Sequence, residues 1–288
     1  MRFRRIVILS LLAFVPCGLL AQSPDTWSKP FPPFRIAGNL YYVGSYELAS
    51  YLITTSKGHI LINSGLAGSA HLIHANLDSL GFKFSDIKIL LATHGHFDHV
   101  GGMAEIKRLT GAQLMIQESD VQVLEDGGKS DYVGGNLIKA FDPVKVDQAL
   151  KDQVTITLGE TMLILHHHPG HTKGASSFTT TVSDEKRSYR VLIVNMPSIL
   201  EGVRLLGMPT YANVGKDYAR TFQALKDTSF DIWLSSHASQ FGLHDKYNPG
   251  DPYKPERFID PEGYRRAIHD YEAKFDEQLE KERKGILK

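Results

Sequence analysis

The chain has 288 residues, 42% of them hydrophobic, with 32 Lys and Arg set against 32 Asp and Glu. That is enough apolar material for one large core, near the upper size of a single domain. A formal charge of zero leaves no basic excess to neutralise phosphates, which argues against a nucleic-acid binder.

In chain order, Arg2, Arg4 and Arg5 precede an apolar run over residues 6–20, closed by Ala21. A basic start, a short apolar stretch and a small residue at the boundary read as a secretory signal peptide over residues 1–21, leaving a domain over 22–288 and a periplasmic location. The run is short for a membrane anchor, and Pro16 and Leu19 suit lipidation at Cys17 badly. Cleavage after Ala21 would remove the only cysteine, so stability must come from the core and from any bound metal. No later segment is long and apolar enough to span a bilayer.

Residues 41–43, 50–54 and 59–62 read as short strands separated by turns. Ile73, Leu77 and Leu80 fall at helical spacing, and residues 87–92 return as a strand. Directly after it stands His94-Gly95-His96-Phe97-Asp98-His99. Four metal-capable side chains within six residues, at the mouth of a buried strand, have the chemistry zinc takes as nitrogen and oxygen ligands. A helix over residues 103–109 follows Gly101-Gly102. The glycine-rich stretch 127–135 suits a mobile flap or a solvated connector.

Residues 154–158 with 162–165, and 178–182 with 189–194, read as two hairpins. Between them, His171 sits in the turn Pro169-Gly170-His171-Thr172-Lys173-Gly174. Of His166, His167 and His168, at most the first and third share a face, and all three are read as strand-end residues beside the ligand loop. Tyr218, Phe222 and Leu225 mark a helix, and Tyr264, Ile268, Tyr271, Phe275 and Leu279 a long terminal one. The short apolar strand 232–236 between them ends at His237. His244 competes with His237 as a ligand but lies farther from a rigid strand end. His59, His71, His74 and His269 are read as surface residues. Six ligands result, His94, His96, Asp98, His99, His171 and His237, a count that suits two metals better than one.

His-x-His-x-Asp-His after a strand, followed by a Gly-His turn and a late histidine, resembles the signature of the metallo-β-lactamase superfamily. Over the whole chain past residue 21, the sequence resembles subclass B3 of the class B β-lactamases. The resemblance implies an α/β fold, the αββα sandwich, with two mixed β-sheets packed face to face and helices on the outer sides. It also implies two zinc ions per subunit, the first on His94, His96 and His171, the second on Asp98, His99 and His237. Residues 61–66, 195–198 and 235–239 are most similar to the GOB-type branch. That branch carries glutamine at the first ligand position; with His94 there, this chain is expected to keep an ordinary three-histidine first site.

Thioesterases, lactonases and tRNA-processing nucleases of the superfamily place a bridging aspartate after the strand matching residues 191–194, and other β-lactamase subclasses a cysteine. This chain has Asn195-Met196, and a thioether is a poor zinc ligand. That favours the B3 pattern, and the activity the resemblance implies is opening of the β-lactam ring of antibiotics such as penicillins, cephalosporins and carbapenems. Asp98 would orient the attacking hydroxide, with no protein nucleophile. Another hydrolase on this fold, or a non-catalytic zinc-binding protein of the envelope, are the alternatives. The expected partner is one small-molecule substrate, with no nucleic acid, no lasting membrane insertion and a monomeric state. Ser198 is a candidate for the substrate carboxylate, with Thr172, Lys173 and Trp27 as further contacts. Trp27 and Phe31 lie in a Pro-rich stretch that B3-like enzymes fold over the site; plain packing against the core is the other reading.

Overall fold

The computed structural model describes residues 24–134 and 141–286. The expected leader over residues 1–21, with Cys17 and the Ala21 junction, lies outside the described residues, as does Gly135. Two sheets organise the rest. The first has seven strands in sequential order: β1 (Phe34–Ala37), β2 (Leu40–Tyr42), β3 (Tyr51–Thr55), β4 (Gly58–Ile62), β5 (Ile87–Leu91), β6 (Gln113–Gln117) and β7 (Gln148–Leu150). Its first four strands pair antiparallel and the last four run parallel. The second sheet runs β12 (Ile232–Ser235), β11 (Ser188–Val194), β10 (Ser176–Ser183), β9 (Thr161–His167) and β8 (Thr155–Leu158). Only the β11 and β12 pair is parallel there.

Strand periodicity decides what each sheet buries. Successive side chains point to opposite faces. Accordingly, Tyr51, Ile53, Ile60, Ile62, Ile89 and Leu91 enter the core between the sheets with Phe178 and Leu165. The residues between them, Leu52, Leu61 and Leu90, face the other way and meet helices. Helix α1 (Ala70–Ser79) supplies Ile73 and Leu77 to that outer layer, and α2 (Met103–Thr110) supplies Met103 and Ile106. On the far side, α3 (Val214–Lys226) lays Tyr218, Phe222 and Leu225 against the second sheet. α4 (Pro261–Arg283) adds Tyr264, Ile268 and Phe275, the helical spacing of a single buried stripe. The N-terminus of α4 is set by Pro261 and by Asp260, which accepts the Gly263 N–H at 2.8 Å. The architecture is the αββα sandwich.

Two local readings change, and one that was open is decided. Phe31 is a core residue, 4% exposed, packed edge-on against Tyr42 and Tyr46. His59 is buried rather than on the surface, because β4 lies between β3 and β5 and Phe82 covers the ring at 5.3 Å. Strands β1, β6 and β7 have no counterpart in the sequence reading.

Candidate metal centre

The C-terminal ends of β5, β11 and β12 and the turn joining β9 to β10 meet at one edge of the sandwich. Open α/β sheets bind ligands at such strand ends. The turn carrying His171 depends on Gly170, whose φ is +137°; a Cβ there would lie 2.8 Å from the Tyr218 ring. The chain can therefore fold back and aim His171 at the residues that follow β5.

Two groups of donors come together. Atoms of His94, His96 and His171 lie within 4.8 Å of one another, and so do atoms of His94, Asp98 and His99. His96 Nδ1 is 3.1 Å from His171 Nε2, while the outer nitrogens of both rings are held elsewhere. His96 Nε2 is 3.1 Å from Asp131 Oδ2, and His171 Nδ1 donates to the Ser198 carbonyl at 2.8 Å. Each ring thus turns one nitrogen inward and has the other fixed by an oxygen, the arrangement metal-binding histidines use. His237 Nε2 is 3.4 Å from Asp98 Oδ2 and its Nδ1 is 3.6 Å from Glu47 Oε1.

The donor set fits a metal. His94 Nε2 and both His99 ring nitrogens are buried with no hydrogen-bond partner. His99 Nε2 lies 3.1 Å from Asp98 Oδ2, close but not aligned for a bond. Buried polar atoms left unpaired are costly, so a site retaining them has another use for them. Burial and the neighbouring imidazoles hold His94 well below the usual histidine range. Burial and His96 push His171 down to about 3. Both rings are therefore neutral at pH 7 with lone pairs free to coordinate. Asp98 goes the opposite way. Although burial favours its neutral form, His99 and His237 hold its carboxyl well below the usual carboxylate range, so it stays ionised.

These donors open onto a cavity of about 580 Å³, within the range of small-molecule sites. Its wall is mostly apolar, with Trp27, Phe97, Val133, Phe141, Met196 and Leu200. The Trp27 ring sits 5.6 Å from that of His237 and 6.1 Å from that of Phe97. Ser198 and Asn195 also line the cavity. Thr172 and Lys173 are not on this wall. The Thr172 hydroxyl donates to Asp120 Oδ2 at 2.7 Å, and the Lys173 ammonium lies over the Tyr211 ring at 5.6 Å.

The other histidines fall outside the cluster. His166 and His168 do share a face, their rings stacked 6.1 Å apart, and are 2.7 and 2.8 Å from the Thr179 and Ser177 hydroxyls. His167 lies opposite and donates from Nε2 to the Lys173 carbonyl at 2.8 Å, supporting the ligand loop. His244 donates to the Tyr46 carbonyl at 2.9 Å and stacks on that ring, which makes it a structural residue.

Three carboxylates escape a motif-based reading. Asp120 is fully buried and accepts from Gly95 N at 2.9 Å, Thr172 Oγ1 at 2.7 Å and Gly174 N at 2.7 Å, joining the two ligand loops. Asp131, in the glycine-rich stretch, pins His96 and also accepts the Val133 and Gly134 N–H groups. Tyr132 beside it donates to the Gly170 carbonyl at 2.8 Å. The described part of that stretch is thus tied to the site. Glu47 is the third, against His237.

The metallo-beta-lactamase superfamily profile matches residues 48–184. Among solved structures, the chain is 51% identical to a β-lactamase from Chitinophaga pinensis, covering 90% of this chain and 98% of that one, with a TM-score of 0.89. It is 50% identical to the metallo-β-lactamase GOB-18 from Elizabethkingia meningoseptica, covering 90% and 96%, with a TM-score of 0.89. It is 52% identical to the class B3 di-zinc metallo-β-lactamase LRA-12 from an Alaskan soil metagenome, covering 90% and 98%, with a TM-score of 0.88. The chain spans 62% or less of the first curated relatives it matches, among them a probable metallo-hydrolase of Methanocaldococcus jannaschii, 28% identical over 135 residues. A histidine and aspartate cluster at the strand ends of an αββα sandwich, together with about half the sequence shared over nine-tenths of the chain, places this protein in the metallo-β-lactamase superfamily, among the subclass B3 enzymes.

Proposed function

We propose that this chain is a dizinc β-lactamase that hydrolyses the ring amide of β-lactam antibiotics. The observation that carries the reading is the convergence of His94, His96, His171, Asp98, His99 and His237 beside an apolar cavity, with buried nitrogens that have no other partner. His94, His96 and His171 would hold one ion, and Asp98, His99 and His237 the other. The di-zinc neighbour among the B3 structures supports zinc in both places. When bound, zinc would supply Lewis acidity for this chemistry, which includes bringing the pKa of water towards about 7.

The protein's own groups do the rest. Asp98, ionised at neutral pH, accepts a hydrogen bond from the attacking water and fixes its direction. Trp27, Phe97, Val133 and Leu200 exclude bulk water and strengthen each polar interaction within the cavity. The Ser198 hydroxyl, on the cavity wall, is the donor for the substrate carboxylate. Asn195 and Met196 close the end of β11 without a carboxylate or thiolate, which supports β-lactam hydrolysis over lactonase or thioesterase chemistry. The basic start, apolar run and Ala21 support export to the periplasm with removal of residues 1–21.

Rates on a chromogenic cephalosporin, a thioester and a homoserine lactone, before and after chelation, test this reading. The expected result is fast cephalosporin turnover, lost on chelation and restored by zinc, with little turnover of the other two. Preference for the thioester or lactone would assign another hydrolase activity. Zinc binding without turnover of any of the three would leave a non-catalytic role.

A further inference from the structure

We propose that Glu47 is a positioning residue for the metal centre, its carboxylate fixing the imidazole of His237 so that Nε2 is the coordinating nitrogen. The proposal rests on the reading of His237 as a metal ligand.

Glu47 lies between β2 and β3 of the first sheet, whereas His237 follows β12 of the second. Backbone contacts tie the two segments: Leu48 and His237 form an isolated antiparallel bridge, the Ala238 N–H donates to the Glu47 carbonyl at 2.7 Å, and the Ala49 N–H donates to the Ser236 carbonyl at 3.0 Å. This strap sets Glu47 beside the segment that carries His237. Glu47 Oε1 accepts from the Ser239 hydroxyl at 2.5 Å and stands 3.6 Å from His237 Nδ1. Anchoring by Ser239 matters, because a free glutamate at a partly open position would lose side-chain entropy on holding the ring.

The imidazole of His237 therefore sits between two carboxylates, Nδ1 towards Glu47 and Nε2 towards Asp98. Asp98 and Nε2 face the same proposed ion, so Nε2 is the nitrogen that gives its lone pair, and the ring proton stays on Nδ1, which faces Glu47. Asp131 faces the outer nitrogen of His96 in the same way, and the Ser198 carbonyl that of His171. Glu47 is the corresponding group for the ligand contributed by the second sheet, so the first sheet controls a donor carried by the other half of the sandwich.

The test measures zinc affinity by competition with a chromophoric chelator, and the visible spectrum of the cobalt-substituted protein. It compares wild type with Glu47→Gln, Glu47→Ala, His237→Ala and His244→Ala. Glu47→Ala is expected to weaken the second zinc by about 10–100-fold and to alter the cobalt spectrum, with the first zinc unchanged. Glu47→Gln keeps an acceptor without its charge and should give a smaller loss; it decides the matter if the alanine variant does not fold. His244→Ala, which removes a contact to the neighbouring Tyr46 carbonyl, should bind both ions as wild type does. If His237→Ala loses a zinc while both Glu47 variants bind as wild type, Glu47 has no positioning role. Equal weakening of both ions, or a lower melting point of the metal-free protein, would reduce Glu47 to a structural residue. If His237→Ala itself keeps both ions, the ligand assignment falls, and the proposal with it.

Discussion

Asp98→Asn is expected to lower β-lactam hydrolysis by at least about 10³-fold and to cost the protein one of the two proposed metals. Asp98 is the only carboxylate among the six proposed donors, and it lies 3.1 Å from His99 Nε2 and 3.4 Å from His237 Nε2. Replacing it with an amide removes a charge that offsets a dication, substitutes a weaker oxygen donor, and takes away the acceptor that aims the attacking water. His94→Gln is the informative contrast. It restores the side chain typical of the GOB-type branch and weakens only the three-histidine position, leaving Asp98, His99 and His237 intact. That variant should bind nearer one zinc and keep measurable turnover. Metal content and rate measured on both variants decide; equal rates for the two would contradict the division of the site.

Asp120→Ala should have the largest effect on stability. Its carboxylate satisfies Gly95 N, Thr172 Oγ1 and Gly174 N, all inside the protein, and binds the loop after β5 to the turn carrying His171. Removing it strands three donors at about 1–3 kcal/mol each before relaxation. A net loss of roughly 3–5 kcal/mol is expected once relaxation and the relief of burying the carboxyl offset part of that sum. For a domain of this size that lowers the melting midpoint by roughly 10 °C. The alanine also opens space where Gly174 abuts the carboxylate; a Cβ on that glycine would lie 2.6 Å from Asp120 Cγ. Affinity for zinc should fall as well, since His94, His96 and His171 lie on the two loops Asp120 joins. Thermal melts with and without zinc read both effects, and a midpoint within about 2 °C of wild type would contradict the role given to Asp120.

Much of this was legible because its signals are local. The segment from His94 to His99 concentrates four donors at the end of one strand, and Gly170-His171 and Ser236-His237 each end or follow an apolar run. The short apolar runs of β3, β4 and β5, and the helical spacing of Tyr218, Phe222 and Leu225, mark the layers for the same reason. What escaped depends on distance in space. Asp120, Asp131 and Glu47 work by reaching across to other loops, and nothing within a few residues of any of them reports the partner. Thr172 adjoins a ligand in sequence, yet its hydroxyl points back to Asp120 rather than to the cavity. Phe31 and Trp27 sit four residues apart, but one enters the aromatic core with Tyr42 and the other lines the cavity. The short edge strands β1 and β7 are set by pairing with β2 and β6 more than by their own pattern.

The central claim is that hydrolysis depends on two metals held by these six side chains. Stripping the protein of metal and returning zinc in steps, with bound zinc and cephalosporin turnover measured at each, tests it most directly. The account predicts no turnover in the stripped protein and full turnover only as binding approaches two ions per chain. Full turnover at one ion with no second ion binding, or turnover that survives complete removal of metal, would contradict it.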